Sequence, residues 1–111
     1  MVAEKAFAFA VRTVKLCQHL QSKKREFILS KQLIRSGTSI GANITEAKQG
    51  QSRADFISKM SIALKETAET KYWLRLLQAT DYLTQQEFES VYDDCVELEK
   101  MLTSIVRSSK Q

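Results

Sequence analysis

The sequence predicts an all-α fold, in which residues 1–111 form one antiparallel up-and-down four-helix bundle. Of the 111 residues, 43% are hydrophobic and 27% are charged, which is typical of a folded globular domain. The chain has no proline and only three glycines, so few positions favour the tight turns that join β-strands. Apolar residues recur with helical period along most of the chain. Because helices with apolar stripes must cover one another, four of them with short connections predict a bundle.

The predicted helices have boundaries near residues 2–21, 26–48, 53–80 and 85–108. Helix one carries two apolar stripes on nearly opposite sides. One stripe consists of Phe7, Ala10, Val11 and Val14, and the other of Val2, Phe9, Leu16 and Leu20. The segment 22–25, Ser-Lys-Lys-Arg, interrupts the pattern and predicts a basic turn into helix two.

Helix two contains two glycines one turn apart, Gly37 and Gly41, on its apolar face. A glycine inside a helix costs about 0.5–1 kcal/mol relative to alanine, so both predict close backbone packing against a neighbouring helix. Gly50 is expected to end helix two in the left-handed conformation.

A polar ladder follows another face of helix two, formed by Arg35, Ser39, Asn43 and Glu46. Two roles are open for it. In the structural interpretation, Asn43 and Glu46 bind a neighbouring helix or subunit and set its register. In the functional interpretation, the same groups are exposed for a ligand.

Two sequence signals mark the starts of helices three and four. Ser52, followed three residues later by Asp55, resembles a capping box. Thr84 with Glu87 forms a second capping box, and the flanking apolar residues Leu83 and Phe88 provide a hydrophobic staple.

Surplus apolar residues on helices one and three predict a homo-oligomer. Helix three carries Ile62, Trp73 and Leu76 roughly opposite its core-facing seam. We therefore expect oligomer contacts to include Val2, Phe9, Leu16, Leu20, Ile62, Trp73 and Leu76. The alternative is that these residues fill a broad monomer core.

The net charge of +4 is unevenly distributed. Residues 1–25 carry six Lys or Arg against one Glu, whereas residues 81–111 have a net charge of −4. The candidate nucleic-acid contacts are Arg12, Lys15, Lys23, Lys24 and Arg25. Such cations bind phosphate without reading sequence, and no base-recognition motif is present. The alternative is an ordinary solvated surface.

Catalysis, a cofactor and a metal site are not expected. The single histidine, His19, has no Cys, Asp or Glu nearby at metal-ligand spacing. No serine has an identifiable base, and neither a P-loop nor a dinucleotide fingerprint occurs. Cys17 and Cys95 lie on apolar faces and are expected to be buried, reduced thiols. No apolar run is long enough to span a bilayer, so we expect a cytoplasmic protein.

The segment 32–70, QLIRSGTSIGANITEAKQGQSRADFISKMSIALKETAET, resembles the signature of the bacterial four-helix-bundle family encoded in intervening sequences of 23S rRNA genes. The matching positions are Gln32, Leu33, Arg35, Ser39, Ile40, Asn43, Ile44, Glu46, Phe56, Ala63, Leu64 and Glu69. The resemblance implies a bundle and a ring oligomer. One relative is a basic homopentamer that assists the reverse transcriptase of diversity-generating retroelements and binds nucleic acid.

Together, these observations predict a non-enzymatic, oligomeric protein that binds RNA or a ribonucleoprotein by shape and charge. By resemblance, the oligomer is expected to be a pentamer. The alternative is a protein-interaction scaffold, for example an accessory partner of a reverse transcriptase, that does not bind nucleic acid directly.

Overall fold

A computed structural model describes all 111 residues and contains four α-helices and no strand. The helices are α1 (Val2–Ser22), α2 (Leu29–Lys48), α3 (Arg53–Ala79) and α4 (Gln85–Ser109). Each helix packs against the next one in the chain, and α4 returns to pack against α1. The result is a bundle with dimensions of 44 × 20 × 20 Å. The predicted antiparallel four-helix fold is therefore confirmed.

The hydrophobic core runs along the centre of the bundle and receives side chains from all four helices. Its fully buried large members include Leu20, Leu33, Ile40, Ile44, Leu74, Leu77, Leu98 and Leu102. Burying a side chain of this size stabilises the fold by about 1.5–3 kcal/mol. The contact between α2 and α3 is the most extensive, and that between α1 and α4 is the smallest.

The two apolar stripes of α1 have unequal burial. Phe9 is 3% exposed and Leu20 is fully buried, so both belong to the core of this chain and not to the exposed surface on which the interface prediction placed them. Phe7, from the opposite stripe, is instead 71% exposed and Val11 is 40% exposed. The reason is the position of α1 between α2 and α4, which together cover the side that carries Phe9.

The start of α2 is organised by Glu26. Its Oε2 accepts hydrogen bonds from the backbone N–H groups of Ile28 (3.1 Å) and Leu29 (2.8 Å), and its Oε1 accepts one from Ser30 (2.7 Å). Glu26 therefore precedes the helix and satisfies its first donors, which explains why α2 begins at Leu29 rather than at the predicted residue 26. Burial acts to raise the pKa of Glu26, but the three N–H groups favour the carboxylate more strongly, so its pKa lies below the ordinary value.

The three glycines differ in what their missing side chains permit. A Cβ at Gly37 would lie 2.7 Å from Cγ2 of Thr13, so the close approach of α1 and α2 requires glycine there. A Cβ at Gly41 would make ordinary contacts with Ala6, the nearest at 3.5 Å. Gly50 does not adopt a positive φ, so the predicted left-handed helix end is wrong. Helix α2 instead ends at Lys48, and its Gln49 cap retains right-handed helical angles.

The predicted starts of α3 and α4 are confirmed by hydrogen bonds. The Ser52 hydroxyl accepts a bond from the backbone N–H of Asp55 at 3.0 Å. At α4, the Thr84 hydroxyl accepts from the Glu87 N–H at 3.1 Å, and the Glu87 carboxylate accepts from the Thr84 N–H at 2.8 Å. Both helices thus begin where local capping satisfies their unpaired donors.

Candidate nucleic-acid interface

Three consecutive cations occupy the turn that joins α1 to α2. Lys23, Lys24 and Arg25 are exposed, and none has a carboxylate within 4 Å. Arg25 has a φ of 56°, and its guanidinium carbon lies 5.3 Å from the centre of the Phe27 ring. This cation–π contact positions the guanidinium without neutralising its charge. We call these three cations the basic turn.

The other two candidate nucleic-acid contacts lie on α1 itself. Lys15 is exposed and has no ion-pair partner. Arg12 instead points to α4, where its Nη1 lies 2.6 Å from Oδ2 of Asp94 and donates to the Ser90 carbonyl oxygen at 3.2 Å. The structure therefore leaves Lys15 free, whereas α4 neutralises the charge of Arg12.

The shallow groove between α1 and α4 shows the same charge compensation. It has a volume of about 310 Å³, and its cations Lys5 and Arg12 face its carboxylates Glu97 and Asp94. Because each positive charge has a partner, this groove offers no net positive field to a phosphate.

Two members of the polar ladder bond within α2. The Ser39 hydroxyl donates to the Arg35 carbonyl oxygen at 2.6 Å, and the Asn43 amide donates to the Ser39 carbonyl oxygen at 2.8 Å. The structural interpretation expected Asn43 to bind a neighbouring helix or subunit. Within this chain, Asn43 does not bind a neighbouring helix. Its amide instead bonds the backbone of its own helix one turn earlier.

The two charged members of the ladder connect α2 to α3. Arg35 forms ion pairs with Glu66 and Glu69. Glu46 pairs with Lys59, with 3.1 Å between Oε1 and Nζ. These contacts agree with the structural interpretation, because charges on α2 meet opposite charges on α3 along the most extensive helix contact in the bundle.

The remaining residues of the predicted oligomer interface lie at or near the surface. Ile62 is 39% exposed. Val2, Leu16, Trp73 and Leu76 are half-buried. The Trp73 indole donates to the Glu69 carboxylate at 3.1 Å, so its polar edge is satisfied within the chain.

The thiols and acidic groups do not assemble into a reactive centre. Cys17 and Cys95 are both buried and unpaired. Burial raises the pKa of each thiol to about 12, which keeps both protonated and unreactive. No group of three or more His, Cys, Asp and Glu residues is placed to hold a metal ion. None of the four helices is sufficiently long and apolar to cross a membrane.

A family model described as 23S rRNA-intervening sequence protein matches residues 1–104. The chain belongs to this family. Its fold is also similar to a crystal structure described as a protein of unknown function from the S23 ribosomal protein family of Bacteroides thetaiotaomicron VPI-5482, with a TM-score of 0.94. The two sequences are 55% identical, and the match covers 96% of this chain and 98% of the other. No curated protein matches this chain.

Family membership confirms the resemblance found in residues 32–70, and the structure shows why that segment is distinctive. It contains Gly37 at the close contact with α1 and the Arg35 and Glu46 ion pairs with α3. The signature of the 23S rRNA-intervening sequence protein family in this chain therefore coincides with groups through which α2 contacts α1 and α3.

The sequence predicts no binding role for two exposed cations on α4, Lys100 and Arg107. The window 81–111 is acidic on average, but every carboxylate in it lies at or before Glu99, and only basic charges follow. The change from acidic to basic residues along α4 is the sequence feature that could have identified these two cations.

Proposed function

We propose that this member of the 23S rRNA-intervening sequence protein family is a non-enzymatic protein that binds structured RNA through shape and charge. The observation that carries the proposal is the basic turn, where Lys23, Lys24 and Arg25 project without carboxylate partners. Other cations, including Arg12, Lys59 and Lys71, are paired within the bundle. Free cations can replace the counterions of a phosphate backbone, which is the main source of sequence-independent affinity.

RNA is the first ligand to test because of the family's description, which refers to an intervening sequence of 23S rRNA. The segment between α1 and α2 has no flat array of aromatic residues for base stacking, since Phe27 is the one aromatic residue beside the basic turn. Contacts to the RNA backbone are therefore expected to dominate, with little dependence on sequence.

A filter-binding titration with structured RNA and duplex DNA, each at two salt concentrations, tests the proposal. We expect RNA affinity to fall with salt, and the triple variant Lys23→Gln/Lys24→Gln/Arg25→Gln to weaken binding. The slope of log affinity against log salt should become shallower by roughly 2, because each lost phosphate contact removes about 0.7–0.9 from it. Absence of RNA binding by the unmodified protein at low salt would refute the proposal.

A matched control removes the same charge from cations that are already paired. The variant Lys5→Gln/Arg12→Gln/Lys59→Gln changes the net charge equally, but each of these cations has a carboxylate partner. It should retain most of the RNA affinity. Equal losses in the two triple variants would show that net charge alone, and not the basic turn, determines binding.

We further propose that the protein is a homo-oligomer, with five subunits by family resemblance. The exposed Phe7, Val11 and Ile62 support self-association, since large apolar side chains at a surface favour burial. Five chains of +4 would carry +20 together, and several weak phosphate contacts would then act at once.

A protein-interaction scaffold is the second candidate function. It is favoured by Phe27 and Ile28, which are 51% and 77% exposed next to the basic turn. In that case, substituting Phe27 and Ile28 by serine would abolish capture of the protein partner, and RNA binding would be absent. Genomic proximity to a reverse transcriptase gene would identify the first partner to test.

A further inference from the structure

The groove between α3 and α4 has the chemistry of a second phosphate-binding surface. It has a volume of about 540 Å³ and is lined by three cations, Lys65, Lys100 and Arg107. None of the three has a carboxylate within 4 Å. We define these three residues as the groove cations.

The one carboxylate in this groove is already neutralised. Oε1 of Glu99 lies 2.8 Å from Nζ of Lys71 on α3. The groove therefore presents a net positive charge, in contrast to the α1–α4 groove, where each cation faces an acid. Of these two grooves between helices, only the one between α3 and α4 offers free cations to an anionic ligand.

The spacing of two groove cations and a hydroxyl group between them favour an extended phosphodiester chain as the ligand. Lys100 and Arg107 are separated by roughly 10 Å along α4 at about 1.5 Å per residue. In duplex DNA each strand has one phosphate per roughly 3.4 Å of helix axis, so both cations can face phosphates of the same strand. Between the two cations, the Ser104 hydroxyl is exposed and can donate to a phosphate oxygen.

We propose that this groove binds the sugar-phosphate backbone of RNA. The inference rests on the proposed function and adds a second contact surface on the same molecule. The basic turn lies where α1 ends, whereas the groove cations of α4 lie in the half of that helix that runs towards the opposite end of the bundle. One chain therefore carries two separate surfaces that hold RNA along the long axis of the bundle.

The test compares two double variants of equal composition. Lys65→Gln/Lys100→Gln removes two groove cations, and Lys48→Gln/Lys110→Gln removes two exposed, unpaired lysines that do not line the groove. At about 0.15 M salt the groove variant should bind structured RNA about 10-fold more weakly than the unmodified protein, because two phosphate contacts are lost. The control variant should change affinity by less than about 3-fold. Circular dichroism verifies that both remain folded.

The outcomes separate this inference from the proposed function. If the unmodified protein binds RNA and the groove variant equals the control, the groove is not a binding surface, although the proposed function survives. If the unmodified protein does not bind RNA, the proposed function itself fails.

Lysine acetylation with and without RNA provides a readout that does not depend on variants. RNA should protect Lys65 and Lys100 from acetylation but leave Lys48 and Lys110 reactive. Equal protection by polyglutamate at the same charge concentration would assign the groove to an acidic protein and overturn the RNA inference.

Discussion

At the scale of single residues, the carboxylate of Glu26 determines how α2 begins. It accepts three backbone N–H bonds within a turn where the rest of the chain supplies no other cap. The same turn presents the basic residues that we propose to contact RNA. The cap holds the start of α2 and, with it, the geometry of the basic turn.

We expect Glu26→Gln to lower the free energy of unfolding by about 1–2 kcal/mol at pH 7, as for the loss of a strong helix cap. The glutamine amide group cannot accept the hydrogen bonds taken by the second carboxylate oxygen. Urea denaturation measures the change. Glu89→Gln is the control, since Glu89 is exposed and its substitution should change stability by less than about 0.5 kcal/mol.

The effect of Glu26→Gln should depend on pH. Because the pKa of Glu26 is lower in the folded state than in the unfolded state, its carboxylate stabilises the fold above the unfolded pKa. This contribution disappears as the pH falls through the folded pKa. The stability difference between the unmodified protein and Glu26→Gln should therefore be smaller at pH 3 than at pH 7. A difference that is constant with pH would contradict the assigned role.

At the scale of elements, the contact between α1 and α2 depends on the absence of a side chain at Gly37. Gly37 lies against Thr13, whereas Gly41, one turn later, faces Ala6 with room for a methyl group. Sequence reasoning treated the two glycines alike because both lie on the apolar face. The structure distinguishes them because α1 places the branched side chain of Thr13 against Gly37, whereas it places the smaller Ala6 against Gly41.

We expect Gly37→Ala to destabilise the bundle by about 1–2 kcal/mol, because overpacking outweighs the gain in helix propensity. Gly41→Ala is the matched control and should be neutral or stabilising by up to about 1 kcal/mol. Thermal denaturation measures both. Combining Gly37→Ala with Thr13→Ala should recover part of the loss, since the clashing Cγ2 atom is removed. Equal effects of the two glycine substitutions would refute the packing argument.

At the scale of the whole molecule, long-range ion pairs decide where positive charge remains free. Arg12 meets Asp94 across α1 and α4, and Lys71 meets Glu99 across α3 and α4. These pairs remove cations from the sides of the bundle. The basic turn and the groove cations are among the cations that remain without a carboxylate partner, and each brings three of them together.

Light scattering on dilute protein tests the proposed assembly. We expect a particle several times larger than 12.7 kDa, because the exposed apolar stripe of α1 would be covered by a second subunit. Phe7→Asp/Val11→Asp should shift the particle towards one chain, and Gln86→Asp, at an exposed position of α4, should not. A particle near 12.7 kDa for the unmodified protein would end the oligomer hypothesis.

The sequence by itself determined the four helices, the capped starts of α3 and α4, and the family. These features depend on residues close together in the chain. The cap formed by Thr84 and Glu87, for example, spans a single turn and can be recognised from the sequence without any tertiary contact. The predicted start of α2 is three residues too early, because a glutamate three residues before the first helical residue is a less common cap than an adjacent serine or threonine.

Only the tertiary structure decided which stripe of α1 is buried and which cations are free. Phe7 and Phe9 are equally apolar, and their burial depends on where α2 and α4 lie. Similarly, Arg12 and Lys15 are both basic residues on one helix, but only Arg12 meets an acid of α4. The physical reason is that burial and ion pairing join residues far apart in the chain, whereas periodicity and capping act within a few turns.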